Sequence, residues 1–328
     1  MAQFTNPSRS FSPRPQHVYT DPVAVTDTST VIANYVADGK SATGYQSEFD
    51  LEDAFIKQLK SQAYEHSDIR TPEVMRDNLR HKLEALNDYA FTDSEWETFY
   101  HAEVANPSSG IVEKTRTIHV DHEKNLIRDD GTTKNIRLID KSNIYRNSLQ
   151  VINQYSTKGS DKGSQSNRYD VTVLVNGLPL VHIELKRRGV AIREAFNQID
   201  RYQRDSFWAD EGLFQYVQLF VISNGTQTKY YSNTTRDLHV KEAAGKTDPR
   251  KNKKKTSNSF EFTSWWADAS NKPITDLIAF AKTFMSKHTL LSVLTRYCVF
   301  TVDELLLVMR PYQIGGCPIL CVRGLVYK

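Results

Sequence analysis

Apolar residues along this chain change their period several times, and each change marks a candidate element. From Ser47, the spacing of Leu51, Ala54, Phe55 and Leu59 is that of one helical face. Thr71-Pro72 opens a second helix through Met75, Leu79, Leu83 and Leu86, proline being suited to a first helical position. Thr92 with Glu95 forms a capping box before a third, through Trp96 and Phe99. The period then shortens. Residues 111–112, 115–120, 126–127 and 136–139 predict strands joined by polar turns such as Asp129-Asp130-Gly131, and residues 151–155 one more. Two strongly apolar runs, 171–175 and 178–183, flank Asn176-Gly177, a strong short-range hairpin signal. Ile192, Ala195, Phe196 and Ile199 restore the helical period. Residues 214–222 read as a core strand, which Asn224-Gly225 turns into 227–231. Pro273 opens a helical run through Leu277, Ala281 and Phe284, and residues 290–297 and 302–309 extend it as a helical connector. The pattern implies an α/β fold with a mixed sheet flanked by helices.

Composition adds bounds. With 328 residues, 39% hydrophobic and 11% aromatic, the chain can bury one large core or two smaller ones. Its net charge of +3 neither demands nor excludes nucleic acid. Cys298, Cys317 and Cys321 are too few and too late for a disulfide framework, and no signal peptide or long apolar run is present; a reduced, cytoplasmic chain without a membrane partner is expected. Residues 1–40, with Pro7, Pro13, Pro15 and Pro22 among Ser and Thr, read as a mobile leader.

The candidate chemistry lies on the hairpin. Its topology brings Asp170, opening the first strand, to Glu184 and Lys186, closing the second. Parity constrains this, because opposed residues share a face. A regular two-residue Asn176-Gly177 turn sends Asp170 and Glu184 to opposite faces. An odd loop, Val175-Asn176-Gly177 with Gly177 in a G1 bulge, would instead set Asp170 opposite His182 and diagonal to Glu184, so a bulged hairpin is expected. Paired carboxylates are hard ligands suited to Mg²⁺, and a lysine beside them can orient or help deprotonate water. A solvated Glu-Lys ion pair is the plainer alternative.

Gln198 and Tyr202 stand one turn apart on the helix that follows. Asp170, then Glu184-Leu185-Lys186, then Gln198 and Tyr202 resemble the PD-(D/E)xK nuclease superfamily, in its RecB-like branch. Asn167-Arg168-Tyr169-Asp170, Ile183-Glu184-Leu185-Lys186-Arg187-Arg188-Gly189 and Arg310-Pro311-Tyr312-Gln313 narrow the likeness to the amino-terminal part of type I restriction R subunits, IC-like. Tyr169 stands where the superfamily name has proline. The resemblance implies a restriction-endonuclease-like fold and a Mg²⁺-dependent endodeoxyribonuclease. Asp170 and Glu184 would hold the metal, with the Leu185 carbonyl a further ligand, Lys186 would serve the water, and Gln198 and Tyr202 would support the site or the DNA. An early helix often supplies a further acid near the metal in this superfamily. Glu48 is the matching position, preferred to Glu52, although a carboxylate there also suits the helix macrodipole.

The resemblance also implies partners: double-stranded DNA, the methyltransferase (M) and specificity (S) subunits, and the helicase domains of a full-length chain. ATP would serve only that full-length subunit, with Gln313 in its adenine-recognising Q motif. The expected division is a leader at 1–40, an endonuclease domain at 41–297 and a truncated start of the motor at 298–328. Gly245-Lys246-Thr247 is no Walker A loop, since Val240 occupies the first glycine position. The basic run 241–255 reads as a surface loop able to meet phosphates or a neighbouring domain. A non-catalytic module docking the R subunit to the methyltransferase core is the competing function.

Overall fold

Ser47 caps the first helix, α1 (Glu48–Ser61), reciprocally: Asp50 N donates to Ser47 Oγ at 3.1 Å and Ser47 N to Asp50 Oδ2 at 3.0 Å. The computed structural model describes residues 46–157, 167–234, 260–268 and 270–316. Before these it describes only Val25–Thr26 (β1) and Ser29–Thr30 (β2), paired antiparallel. The rest of the expected leader, residues 158–166 of the Gly/Ser-rich segment that reads as a loop, the basic run with Gly245-Lys246-Thr247, and the tail with Cys317 and Cys321 lie outside the described residues.

After the edge strand β3 (Glu65–His66), α2 (Pro72–Asn87) buries Met75, Leu79, Leu83 and Leu86, and α3 (Asp93–Phe99) starts at the Thr92/Glu95 capping box before a π turn at Tyr100–Val104. The strands expected at 111–112 and 115–120 are instead one helix, α4 (Ile111–His119). Its β-branched content suggested strand, but that propensity is weak against packing. Gly110 N donates to Glu113 Oε2 at 2.9 Å to close the first turn, and Lys114, Thr115 and Ile118 turn inward at helical spacing.

β4 (Glu123–Ile127) and β5 (Thr133–Arg137) form a hairpin around Gly131, as expected. The central sheet adds β6 (Leu149–Ser156), β7 (Arg168–Val175), β8 (Leu178–Leu185), β9 (Leu219–Ser223) and β10 (Thr228–Ser232), in the order β10-β9-β8-β7-β6-β3. Pairs β8/β9 and β6/β3 are parallel and the others antiparallel, so the sheet is mixed. Every residue of β8 is buried, because helices cover both faces. Successive residues of β10 show this: Tyr231 meets Phe196 of α5 (Ile192–Asp205) at 5.1 Å, and Tyr230 meets Phe284, just past α6 (Leu277–Thr283), at 4.9 Å. Tyr230 and Tyr231 are both buried in the core.

Three further expectations are corrected. Of the 214–222 run only residues from 219 on are strand (β9, Leu219–Ser223); residues 210–216 turn as 3₁₀ helix, with Glu211 and Gly212 both at positive φ. Pro273 starts no helix, because β12 (Pro273–Ile274) pairs with β11 (Trp266–Ala267), and α6 begins after the Asp276 cap. The connector is helical only through α7 (Lys287–Arg296); residues expected to continue it form β14 (Leu306–Val308), paired with β13 (Cys298–Phe300), ahead of α8 (Pro311–Gly316). Among the described residues, no helix is long and apolar enough to cross a membrane.

Candidate active site

Asn176 and Gly177 make a two-residue turn, left-handed at both positions (φ 51° and 85°). Asn176 is fixed by its amide, with Nδ2 donating to Leu138 O at 3.1 Å and Oδ1 accepting from Ser148 N at 2.9 Å. Val175 pairs with Leu178 and Leu174 with Pro179, the register that would part Asp170 from Glu184. Leu180 is then left out of the ladder, and Val173 pairs with Val181, Thr172 with His182 and Val171 with Ile183. This bulge shifts the register by one and sets Asp170 against Glu184. The expected bulge therefore exists, but it lies within β8 rather than in a three-residue loop, and Thr172, not Asp170, opposes His182.

Where the ladder ends, the Asp170 side chain takes it over: its Oδ2 accepts from Leu185 N at 2.9 Å. Glu184 Oε1 accepts from Lys186 Nζ at 3.0 Å. Glu184 Oε2 is buried and has no hydrogen-bond partner, nor has His182 Nε2, 3.6 Å away. His182 Nδ1 lies 3.2 Å from Thr172 Oγ1, so a neutral ring backs the carboxylate.

Electrostatics follow from burial. Asp170 is pushed up to about 7, by desolvation first and by the Glu184 charge second. Glu184 is also pushed up to about 7 by desolvation, with Lys186 pulling against it. Desolvation draws Lys186 down, but Glu184 and Asp170 outweigh it and hold the ammonium above its ordinary value. Burial lowers His182 to about 4. The site is thus two carboxyls that resist joint ionisation beside one firmly charged amine.

Glu48 stands at the rim, half exposed, with Oε1 3.9 Å from Lys186 Nζ. Glu52, one turn on, is buried and accepts from Asn153 Nδ2 at 2.6 Å and Gln154 Nε2 at 2.5 Å. Gln198 Nε2 donates to Tyr202 Oη, which donates in turn to Arg168 O at 3.0 Å, tying α5 to β7 two residues before Asp170. Gln313 is remote: its Oε1 accepts from Arg310 N at 2.8 Å and caps its own turn. Thr172, Asn153 and Gln154 escaped the sequence reading, since only the strand register brings them to the carboxylates.

Among the described residues, no three His, Cys, Asp or Glu side chains form a metal-holding group by themselves. Asp170 and Glu184 nevertheless fit a hard divalent ion, having oxygen donors only and, on Glu184, a buried unpartnered Oε2. Mg²⁺ suits so small a donor set because it retains several waters.

A central mixed sheet flanked by helices is consistent with an α/β nuclease-like fold. Residues 45–239 match the family described as Type I restriction enzyme R protein N terminus, and the chain belongs to that family. It is 47% identical over 298 residues to the Type I restriction enzyme EcoprrI endonuclease subunit of Escherichia coli, covering 90% of this chain and 88% of that one. It is 37% identical over 276 residues to the SsaAORF53P endonuclease subunit of Staphylococcus saprophyticus, covering 82% of this chain but 26% of that relative. The putative MjaIXP endonuclease subunit of Methanocaldococcus jannaschii is 24% identical over 214 residues, 60% of this chain and 20% of that one.

Proposed function

We propose that the chain hydrolyses phosphodiester bonds of double-stranded DNA, with Mg²⁺ held by Asp170, Glu184 and the Leu185 carbonyl. The cation would supply charge stabilisation at the attacked phosphate. Lys186 orients the attacking water; an ammonium held above its ordinary pKa by Glu184 is a poor base near neutral pH. Glu48 steadies that ammonium from the rim, and Gln198 and Tyr202 brace the strand that carries Asp170. Assembly with M and S subunits, ATP-driven translocation and adenine recognition through Gln313 belong to longer R subunits on this reading.

One observation carries the proposal: the Leu180 bulge brings a second, partly buried carboxyl to a Glu-Lys pair that needs only one. A purely structural ion pair gains nothing from Asp170 beside it. The test is conversion of supercoiled plasmid with Mg²⁺ at low salt. The native chain nicks slowly and Asp170→Asn does not; equal conversion by both, or none by the native chain, contradicts the proposal.

A further inference from the structure

The registers of three neighbouring strands align Gln154 in β6, Asp170 in β7 and Glu184 in β8 as one row across the sheet, with Lys186 two residues beyond Glu184. Helix α1 spans that row. Glu48 reaches Lys186 Nζ at one end, and Glu52 takes the amides of Asn153 and Gln154 at the other. Glu52 is only 5% exposed, and its two oxygens are held by neutral amide donors.

Gln154 is strained. Its φ of 57° lies in the left-handed region, in the middle of a strand, where an L side chain is disfavoured. The ladder keeps Asn153 with Val171 and Tyr155 with Tyr169 and skips the pair between them, which is Gln154 with Asp170. A carboxylate only accepts, so Nε2 must be the end that faces Glu52, and Oε1 is the other. That Oε1 is buried without a hydrogen-bond partner. A strained backbone, a buried acid and an unsatisfied acceptor thus meet across from Asp170, where core packing requires none of them.

We propose that Gln154 is a positioning residue of the metal site. It pins Glu52 and presents its own Oε1 beside Asp170, and the two acceptors hold the water shell of the divalent cation taken up by Asp170 and Glu184. This rests on the nuclease reading above and deepens it: two protein carboxylates leave most positions around Mg²⁺ to water, which needs oriented acceptors.

The test is calorimetric titration of the whole chain with Mn²⁺, alongside thermal unfolding. Native protein is compared with Gln154→Gly, Gln154→Asn and Asp170→Asn. Glycine removes both the amide and the backbone strain, while asparagine tolerates the left-handed backbone but has a shorter arm. Both Gln154 variants are expected to bind Mn²⁺ about tenfold more weakly, with the glycine variant melting no lower than native. Affinity within about twofold of native in both, with Asp170→Asn defective, overturns the role of Gln154 and leaves the nuclease reading standing. Weaker binding that only tracks a lower melting temperature also counts against it. Native Mn²⁺ affinity in Asp170→Asn removes the nuclease reading itself.

Discussion

Asp170 Oδ2 accepts the backbone N–H of Leu185 at 2.9 Å, so the side chain of one strand completes the ladder of the next. The contact places a carboxylate against a main-chain donor at the strand end, one residue past Glu184. It anchors Asp170 while leaving its other oxygen for the site. The first prediction follows from what this arrangement costs without metal.

Both carboxyls titrate near 7 when folded and near about 4 when unfolded. Folded-state values raised in this way contribute stability that is fully present below about pH 4 and lost as pH rises through about 7. His182, lowered to about 4, acts in the opposite sense and favours the fold above its ordinary value. Comparing native protein with Asp170→Asn largely cancels the histidine. The urea midpoint of the variant should gain on native from about pH 5 to about pH 8, and Mg²⁺ should narrow the gap by stabilising only the native chain. A difference that does not change with pH would mean that the fold does not hold the Asp170 carboxyl above its unfolded value.

The turn is equally exposed to test. Gly177 has φ 85°, and an added Cβ would stand 2.7 Å from Leu79 Cα, a backbone atom of α2 that cannot swing aside. Gly177→Ala should therefore cost about 3 kcal/mol or more in chemical denaturation, combining left-handed strain with the clash. A loss below about 1 kcal/mol would show that the hairpin and α2 are not packed as described.

Much of this was legible from local signals. Ser47, Thr71-Pro72 and Thr92 with Glu95 mark helix starts through their own hydrogen bonds, and Asn176-Gly177 marks the hairpin because few other pairs accept two left-handed residues. Parity alone demanded one odd residue between Asp170 and Glu184. That Leu180 supplies it had no local signature, because an apolar residue in an apolar strand looks the same in or out of the ladder. Ile111 to His119 misled through β-branched side chains whose burial favoured a helix. Glu48 and Glu52 share one helical face, and only packing against β6 and β8 separates the acid near Lys186 from the acid near Gln154.

A graded loss of activity is expected around Lys186. Lys186→Ala removes the group at 3.0 Å from Glu184 and should lower plasmid nicking by about 100-fold or more. Glu48→Gln removes only a half-exposed, 3.9 Å ion pair that water screens, so its loss should stay below about tenfold. Reversal of that order in initial rates would make Glu48 more important to the reaction than Lys186.

Tyr202→Phe should act on stability. It leaves the Arg168 carbonyl without the 3.0 Å hydroxyl and Gln198 without its acceptor, at a cost of about 1 kcal/mol. Nicking measured well below the melting temperature should fall only modestly. A collapse of rate with unchanged stability would place the hydroxyl on the DNA instead.

The most direct measurement is anomalous diffraction from crystals soaked in Mn²⁺. A single peak within bonding distance of Asp170 and Glu184 oxygens, absent from Asp170→Asn crystals, is the predicted result. A Glu184–Lys186 pair still closed at about its metal-free distance, with no peak beside Asp170, would contradict the account.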